Sequence, residues 1–146
     1  VNVELLKDLI QRYKSATFII ERRFISIFRE HMSGEITVDQ YKTLSYLRKH
    51  GPCTSTELAD MFCVGKSSIT AIINRLSDKQ FIERIPETKD RRVIQISLTD
   101  EGAAVCEEMD EKLGEILGGY MNQFEEQEAL AFIETFERLA SEMQKA

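Results

Sequence analysis

Residues 54–99, TSTELADMFCVGKSSITAIINRLSDKQFIERIPETKDRRVIQISLT, read as helix, turn, helix and hairpin. Thr54, followed three residues on by Glu57, fits a capping box in which hydroxyl and carboxylate satisfy backbone donors at a helix start. A short helix through Phe62 and a turn at Cys63, Val64 and Gly65 come next. Beyond the turn, Ile69, Ile72, Ile73 and Leu76 recur at i, i+3, i+4 and i+7, one apolar stripe that faces a core. The opposite face is small and polar: Ser67, Ser68, Thr70, Ala71, Asn74 and Arg75, with Lys66 at its start. Short side chains let a helix lie deep in a groove, and hydroxyls, an amide and a guanidinium suit phosphates and base edges.

Downstream, Phe81–Ile85 and Val93–Leu98 read as two strands, with apolar residues at Ile94, Ile96 and Leu98 on the second. Between them Pro86, Glu87, Thr88, Lys89, Asp90, Arg91 and Arg92 break both periodicities, which predicts a protruding hairpin tip of clustered positive charge. A hairpin after two helices makes a winged helix-turn-helix. The predicted fold is mainly α: that core, a two-stranded β-wing, and long N- and C-terminal dimerisation helices.

The order and spacing of these segments resemble the MarR-type transcriptional regulators. The resemblance is carried by ELADMFCVGKSSITAIINRLSDKQFIER (57–84), KDRR (89–92) and SLTDEG (97–102). It extends to the flanks, because that family uses a long helix before the core and two after it to dimerise. The pattern departs at Cys63 and Gly65, where glycine and serine are more usual, and at Ala71, where a basic residue often stands. From the resemblance, Arg92 would reach a minor groove, Asp90 would orient its guanidinium, and Arg75 would sit on a phosphate. Small aromatic or anionic effectors would bind between the dimer helices and the winged core. Tyr13, Phe24, Phe28, Tyr41 and Tyr46 could contribute to such a pocket, but aromatics at helical spacing are more often core, and none is assigned to a ligand.

The flanks have their own patterns. Leu5, Leu6, Leu9, Ile10, Tyr13, Ala16, Ile19, Ile20, Phe24, Ile27 and Phe28 make a stripe over residues 3–31 that is wider than one core requires, which predicts a second surface toward a partner. A break at Ser33–Gly34 precedes a second capping box, Thr37 with Gln40. The helix that it opens carries Tyr41, Leu44, Tyr46 and Leu47 and stops at His50-Gly51-Pro52. Thr99, with Asp100 and Glu101 in the first turn, caps a helix that runs to Gly118–Gly119, and Leu130, Ile133, Phe136 and Leu139 mark a last amphipathic helix. The division expected is 1–34 for the first dimerisation helix, 35–99 for the winged helix-turn-helix, and 100–146 for the last two helices.

A net charge of −6 argues against nucleic acid until its distribution is read. Residues 66–92 hold seven basic and four acidic side chains, a net +3, whereas residues 100–146 hold three basic and thirteen acidic, a net −10. Local potential governs binding within a Debye length of roughly 8–10 Å, so a distant acidic part need not repel DNA. Charges interleave the apolar residues of the first thirty positions, which fits neither a leader nor a membrane span and predicts a cytoplasmic protein.

Catalytic and metal chemistry find little footing. The two histidines, His31 and His50, are far apart, and glycine-rich phosphate loops, HExxH and GxSxG are absent, so the chain does not read as an enzyme and no cofactor is expected. Glu107, Glu108, Asp110 and Glu111 read as a solvated helix face. A metal site from His50, Cys53 and His31 is the weaker alternative to ordinary surface residues. Cys53, Cys63 and Cys106 show no CxxC pair and read as free buried thiols, although oxidation of Cys63 in the inter-helix turn would disturb the second helix.

Two function classes remain. The leading one is a homodimeric, sequence-specific regulator, with repression the favoured sense, that binds a pseudo-palindromic operator in double-stranded DNA and would be released by a small-molecule effector. Its DNA-binding residues would be Lys66, Ser67, Ser68, Thr70, Asn74, Arg75, Lys89, Asp90, Arg91 and Arg92. The alternative is a winged-helix protein-interaction module that binds no DNA.

Overall fold

The computed structural model describes residues 1–32, 34 and 36–146. Six helices and one two-stranded antiparallel sheet account for the described elements, and the fold is the mainly α winged helix-turn-helix that the sequence predicts. The chain divides into two units, Val1–Met109 and Asp110–Ala146.

The first unit opens with α1 (Val3–His31), capped by Asn2, whose side chain accepts from the Leu5 N–H at 2.8 Å. Of its 29 residues only Phe28 is buried, and the Phe24, Phe28 and Tyr41 rings, 6.3 and 5.6 Å apart in turn, join its last turns to α2. Ser33, half of the expected break, lies outside the described residues. In α2 (Val38–His50) the Thr37–Gln40 capping box forms with both bonds, and Leu44 and Leu47 are buried. Gly51 ends it at φ 82°, a conformation open to glycine and unfavourable for other residues.

The two central helices, α3 (Ser55–Phe62) and α4 (Lys66–Asp78), end alike. After α3, Val64 N–H reaches Ala59 O and Cys63 N–H reaches Asp60 O; after α4, Phe81 N–H reaches Leu76 O and Gln80 N–H reaches Ser77 O. These are the paired backbone bonds of a Schellman motif, whose left-handed residue is usually glycine. Here that residue is Cys63 (φ 54°) or Gln80 (φ 65°). The core lies where these helices meet: Leu58 from α3, Ile69, Ile73 and Leu76 from α4, and Leu44 from α2 are at most 2% exposed. Each such side chain contributes roughly 1.5–3 kcal/mol by leaving water. Ile72, the fourth member of the expected stripe, is half-buried.

The wing consists of β1 (Ile82–Pro86) and β2 (Ile94–Leu98), paired from Ile82 with Leu98 to Pro86 with Ile94. Each begins one residue later than the sequence suggests. Phe81 is buried, but its N–H closes the end of α4 and its carbonyl accepts from Thr99 N–H at 3.1 Å, so it joins no ladder. Pro86 fits in the strand because the next bond is made by Glu87 N–H to Val93 O at 2.8 Å. The apolar alternation on β2 is also weaker than expected: Ile96 is buried, Leu98 half-buried and Ile94 exposed. Cys53 pairs with Ile96 through backbone bonds in both directions, which pins the loop before α3 to the wing root.

Thr99 caps α5 (Asp100–Met121): its hydroxyl accepts from Gly102 N–H at 3.0 Å and donates to Gln80 O at 2.7 Å. The second unit holds the rest of α5 and α6 (Glu126–Gln144). Contrary to the sequence expectation, α5 passes through Gly118 and Gly119 and stops at Met121. Two interior glycines disfavour a helix by about 1 kcal/mol each, which is not enough to end one this long. No residue of α6 is buried, and Leu130, Phe132, Ile133, Phe136, Leu139 and Met143 are 40–61% exposed. Among the described residues, no helix is long and apolar enough to cross a membrane.

Gly102 and Gln80 give opposite tests of this framework. A Cβ on Gly102 would overlap the Phe81 carbonyl oxygen and stand 2.8 Å from its carbon, so Gly102→Ala is expected to destabilise by about 1–3 kcal/mol in denaturant unfolding. Gln80→Gly relieves a left-handed residue and is expected to stabilise by about 1 kcal/mol. Equal and small effects from both would show that the α4–wing–α5 junction is looser than its hydrogen bonds imply.

Candidate nucleic-acid interface

Helix α4 is placed by its buried stripe, which turns Ser67, Ser68, Thr70 and Asn74 outward; all four are exposed, as is Lys66. Its N-cap is Gly65, extended and without a side chain to bond the first-turn amides. Uncapped amides and the positive end of the helix dipole together favour an anion such as a phosphate. The serine more usual at this position would occupy one of those amides itself.

At the wing tip, Asp90 and Arg92 form a closed unit. One carboxylate oxygen accepts from the Arg92 backbone N–H at 3.0 Å and from Nε at 3.2 Å, and the other accepts from Nη2 at 3.4 Å. The Arg92 side chain remains 91% exposed, so the pair adds little to stability and acts by fixing direction. Arg92's side-chain bonds first, then its backbone N–H, hold the Asp90 carboxyl below its ordinary range. Lys89 and Arg91 flank this unit and are exposed.

Arg75 stands apart from that arrangement. With Asp78 and Lys79 it borders a cavity of about 350 Å³, whose other wall is Ile36, Thr37 and Gln40 at the start of α2.

Arg84, which the sequence reading passed over, joins the two parts. Its Nη2 donates to Asn74 Oδ1 at 2.6 Å and its Nη1 to Ser77 Oγ at 3.2 Å, linking β1 to α4. The available signal was the strand period: Ile82 is buried, so residue 84 shares its face and points back toward the helix.

The cysteines correct one expectation. Cys53 and Cys106 are buried, but Cys63 is exposed, because its left-handed backbone belongs to the turn and its side chain packs into no core. Burial, and then the Glu57 carboxylate, push the Cys53 thiol upward and away from the reactive thiolate. His50 lies with its ring 4.2 Å from that of Tyr46, and among the described residues no three His, Cys, Asp or Glu side chains gather as metal ligands. Of the aromatics considered for an effector, Phe24 and Phe28 line a cavity of about 830 Å³ between α1 and α2, together with Ile20, Ile25 and Met32.

The wing unit predicts a titration. Asp90 should titrate below an ordinary aspartate when followed by carboxyl NMR shifts, and Arg92→Ala, which removes the side-chain bonds but keeps the backbone N–H, should raise it toward the ordinary range. Because the folded value is lowered, the clasp is fully present above the ordinary range and is lost as pH falls through the lowered one. An Asp90 titration unmoved by Arg92→Ala would mean that the pair is open in solution.

A model of the MarR family matches residues 36–94. The HTH-type transcriptional repressor MdtR of Bacillus subtilis (strain 168) is 39% identical over 95 residues, 65% of this chain and 61% of its own, so the match spans about three fifths of that relative. The uncharacterized HTH-type transcriptional regulator YpoP of the same strain is 32% identical over 110 residues, 75% of this chain and 78% of its own. Among solved structures, the YusO protein from Bacillus subtilis aligns over 97% of this chain and 99% of its own, at 32% identity and a TM-score of 0.65. With this framework, these matches and a two-stranded wing in place, the chain belongs to the MarR family of winged helix-turn-helix transcriptional regulators.

Proposed function

We propose that this chain is a cytoplasmic transcriptional regulator that binds double-stranded DNA as a homodimer on a pseudo-palindromic operator and represses transcription there. The observation that carries the reading is the pairing of an uncapped, polar α4 face with a wing arginine held outward by its own carboxylate partner. A helix presenting Lys66, Ser67, Ser68, Thr70 and Asn74 fits a major groove, and an ordered guanidinium gains from the negative potential of a narrow minor groove. Lys89 and Arg91 would add phosphate contacts. Arg75, bordering the α2 cavity, reaches phosphate only at the flank of such a complex.

Dimerisation is supported by the large apolar side chains that α1 and α6 leave in solvent. So many exposed large apolar side chains on each of these helices are unusual on a monomer. In this reading residues 1–34 and 100–146 form the dimer, and residues 35–99 meet DNA at two half-sites about one helical turn apart. The repressor sense is supported by the name of the relative MdtR. The cavity beside Phe24 and Phe28 is lined mainly by apolar side chains, with Glu21 and Asp39 balancing Arg29 and Lys42, which supports a small aromatic effector that releases the operator more than an anionic one.

Sedimentation and operator binding test this together. The chain should sediment as a dimer at micromolar concentration, and its affinity for DNA should fall with salt at a logarithmic slope near −0.9 per phosphate contact. Arg92→Ala should weaken operator binding by roughly 1–3 kcal/mol and flatten that slope by about 1, leaving thermal stability unchanged. Asp90→Ala should weaken it less, in the same direction, although it removes a negative charge. A stable folded monomer would overturn the dimer, salt-independent association would favour the protein-interaction module, and tighter binding by Asp90→Ala would reduce the wing to diffuse charge.

A further inference from the structure

We infer that Arg84 is a positioning residue that fixes the Asn74 amide with its N–H donors outward and thereby sets which base α4 selects; the inference rests on the DNA-binding reading above. A guanidinium carries donors and no acceptor, so the atom of Asn74 that faces Arg84 must be the carbonyl oxygen. That bond is 2.6 Å long, and the same guanidinium is held from a second direction by Ser77 Oγ at 3.2 Å, one helical turn away on α4. Two anchors on one helix leave the planar fork little freedom to rotate. The Asn74 amide is therefore fixed with Nδ2 turned away from Arg84 and both of its protons available.

A free asparagine reads adenine by accepting from N6 with Oδ1 while donating to N7. Here Oδ1 already faces a cation, and the adenine amino group would have to approach beside that charge. Guanine presents two acceptors, O6 and N7, and no donor at that part of its major-groove edge. It suits an amide whose oxygen is already engaged by a cation and whose two N–H donors face outward, and the adjacent guanidinium polarises Nδ2 to donate more strongly. The composition of α4 alone does not distinguish these two bases, because the constraint on Asn74 comes from β1.

The test is selection of bound sequences from DNA with randomised half-sites, using the intact protein and its Asn74→Ala, Arg84→Met, Ser77→Ala and Asn74→Ala/Arg84→Met variants, with circular dichroism to check folding. Wild type should enrich guanine at one position in each half-site, and Asn74→Ala should erase that preference. Arg84→Met should shift the position from guanine toward adenine by roughly tenfold, the scale of one lost discrimination. Ser77→Ala, which loosens the guanidinium without removing it, should shift it the same way by less, and carries the test if Arg84→Met does not fold. In the Asn74→Ala background, Arg84→Met should change nothing further at that position. If Arg84→Met weakens operator and random DNA equally and leaves the base preference intact, Arg84 is a phosphate contact and the inference falls alone. If wild type enriches no sequence, the DNA-binding reading falls and takes this one with it.

Discussion

The peptide of Phe81 is held from three directions, and the winged core depends on those bonds. Its N–H closes the end of α4 on Leu76, its carbonyl accepts from Thr99 at the end of β2, and Gly102 in the first turn of α5 presses against that carbonyl. Thr99 adds a fourth tie through its hydroxyl to Gln80 O. One residue thus fixes the exit of α4, the root of the wing and the entry of α5. Buried backbone groups left unpaired would each cost about 1–3 kcal/mol, so these three elements hold their mutual geometry or lose it together. The wing can therefore be aimed relative to α4 without a core of its own.

Much of this was legible in the sequence because local chemistry decided it. The Thr37–Gln40 and Thr54–Glu57 boxes, the Gly51–Pro52 stop and the isoleucine stripe of α4 each depend on residues a few positions apart. The end of α3 at Phe62, with the turn at Cys63, was legible too, but the end of α4 at Gln80 was harder, because a left-handed residue is signalled by glycine and that position has none. The strands slipped by one residue for a related reason: Phe81 looks like a strand residue until α4 claims its N–H. The glycine pair in α5 misled in the opposite sense, because glycine permits a stop and does not compel one.

For the candidate site, the residue types were readable and their constraints were not. Asp90 and Arg92 are two positions apart, so a clasp between them could be anticipated. Asn74 and Arg84 are ten apart and meet only because the chain reverses through Phe81, which no periodicity displays. Position around the helix also divided residues that composition had grouped: Thr70, Asn74 and Arg75 are all exposed on α4, yet Arg75 borders the cavity beside α2. Net charge was the least informative quantity, because the basic segment and the acidic helices average away the contrast that matters.

The Phe81 junction also bears on how the length of this chain can change. The segments from Leu76 to Ile82 and from Leu98 to Gly102 are in fixed register with one another, so a single inserted residue in either would misplace a hydrogen bond and the close approach at Gly102. The tip between Glu87 and Val93 is closed by its own backbone bonds, one from Glu87 N–H to Val93 O across its base and one from Val93 N–H to Asp90 O within it. Insertions and deletions should therefore be tolerated at the tip and excluded at the root. Descendants of this chain could lengthen or shorten their reach into a groove without renegotiating the fold that carries it.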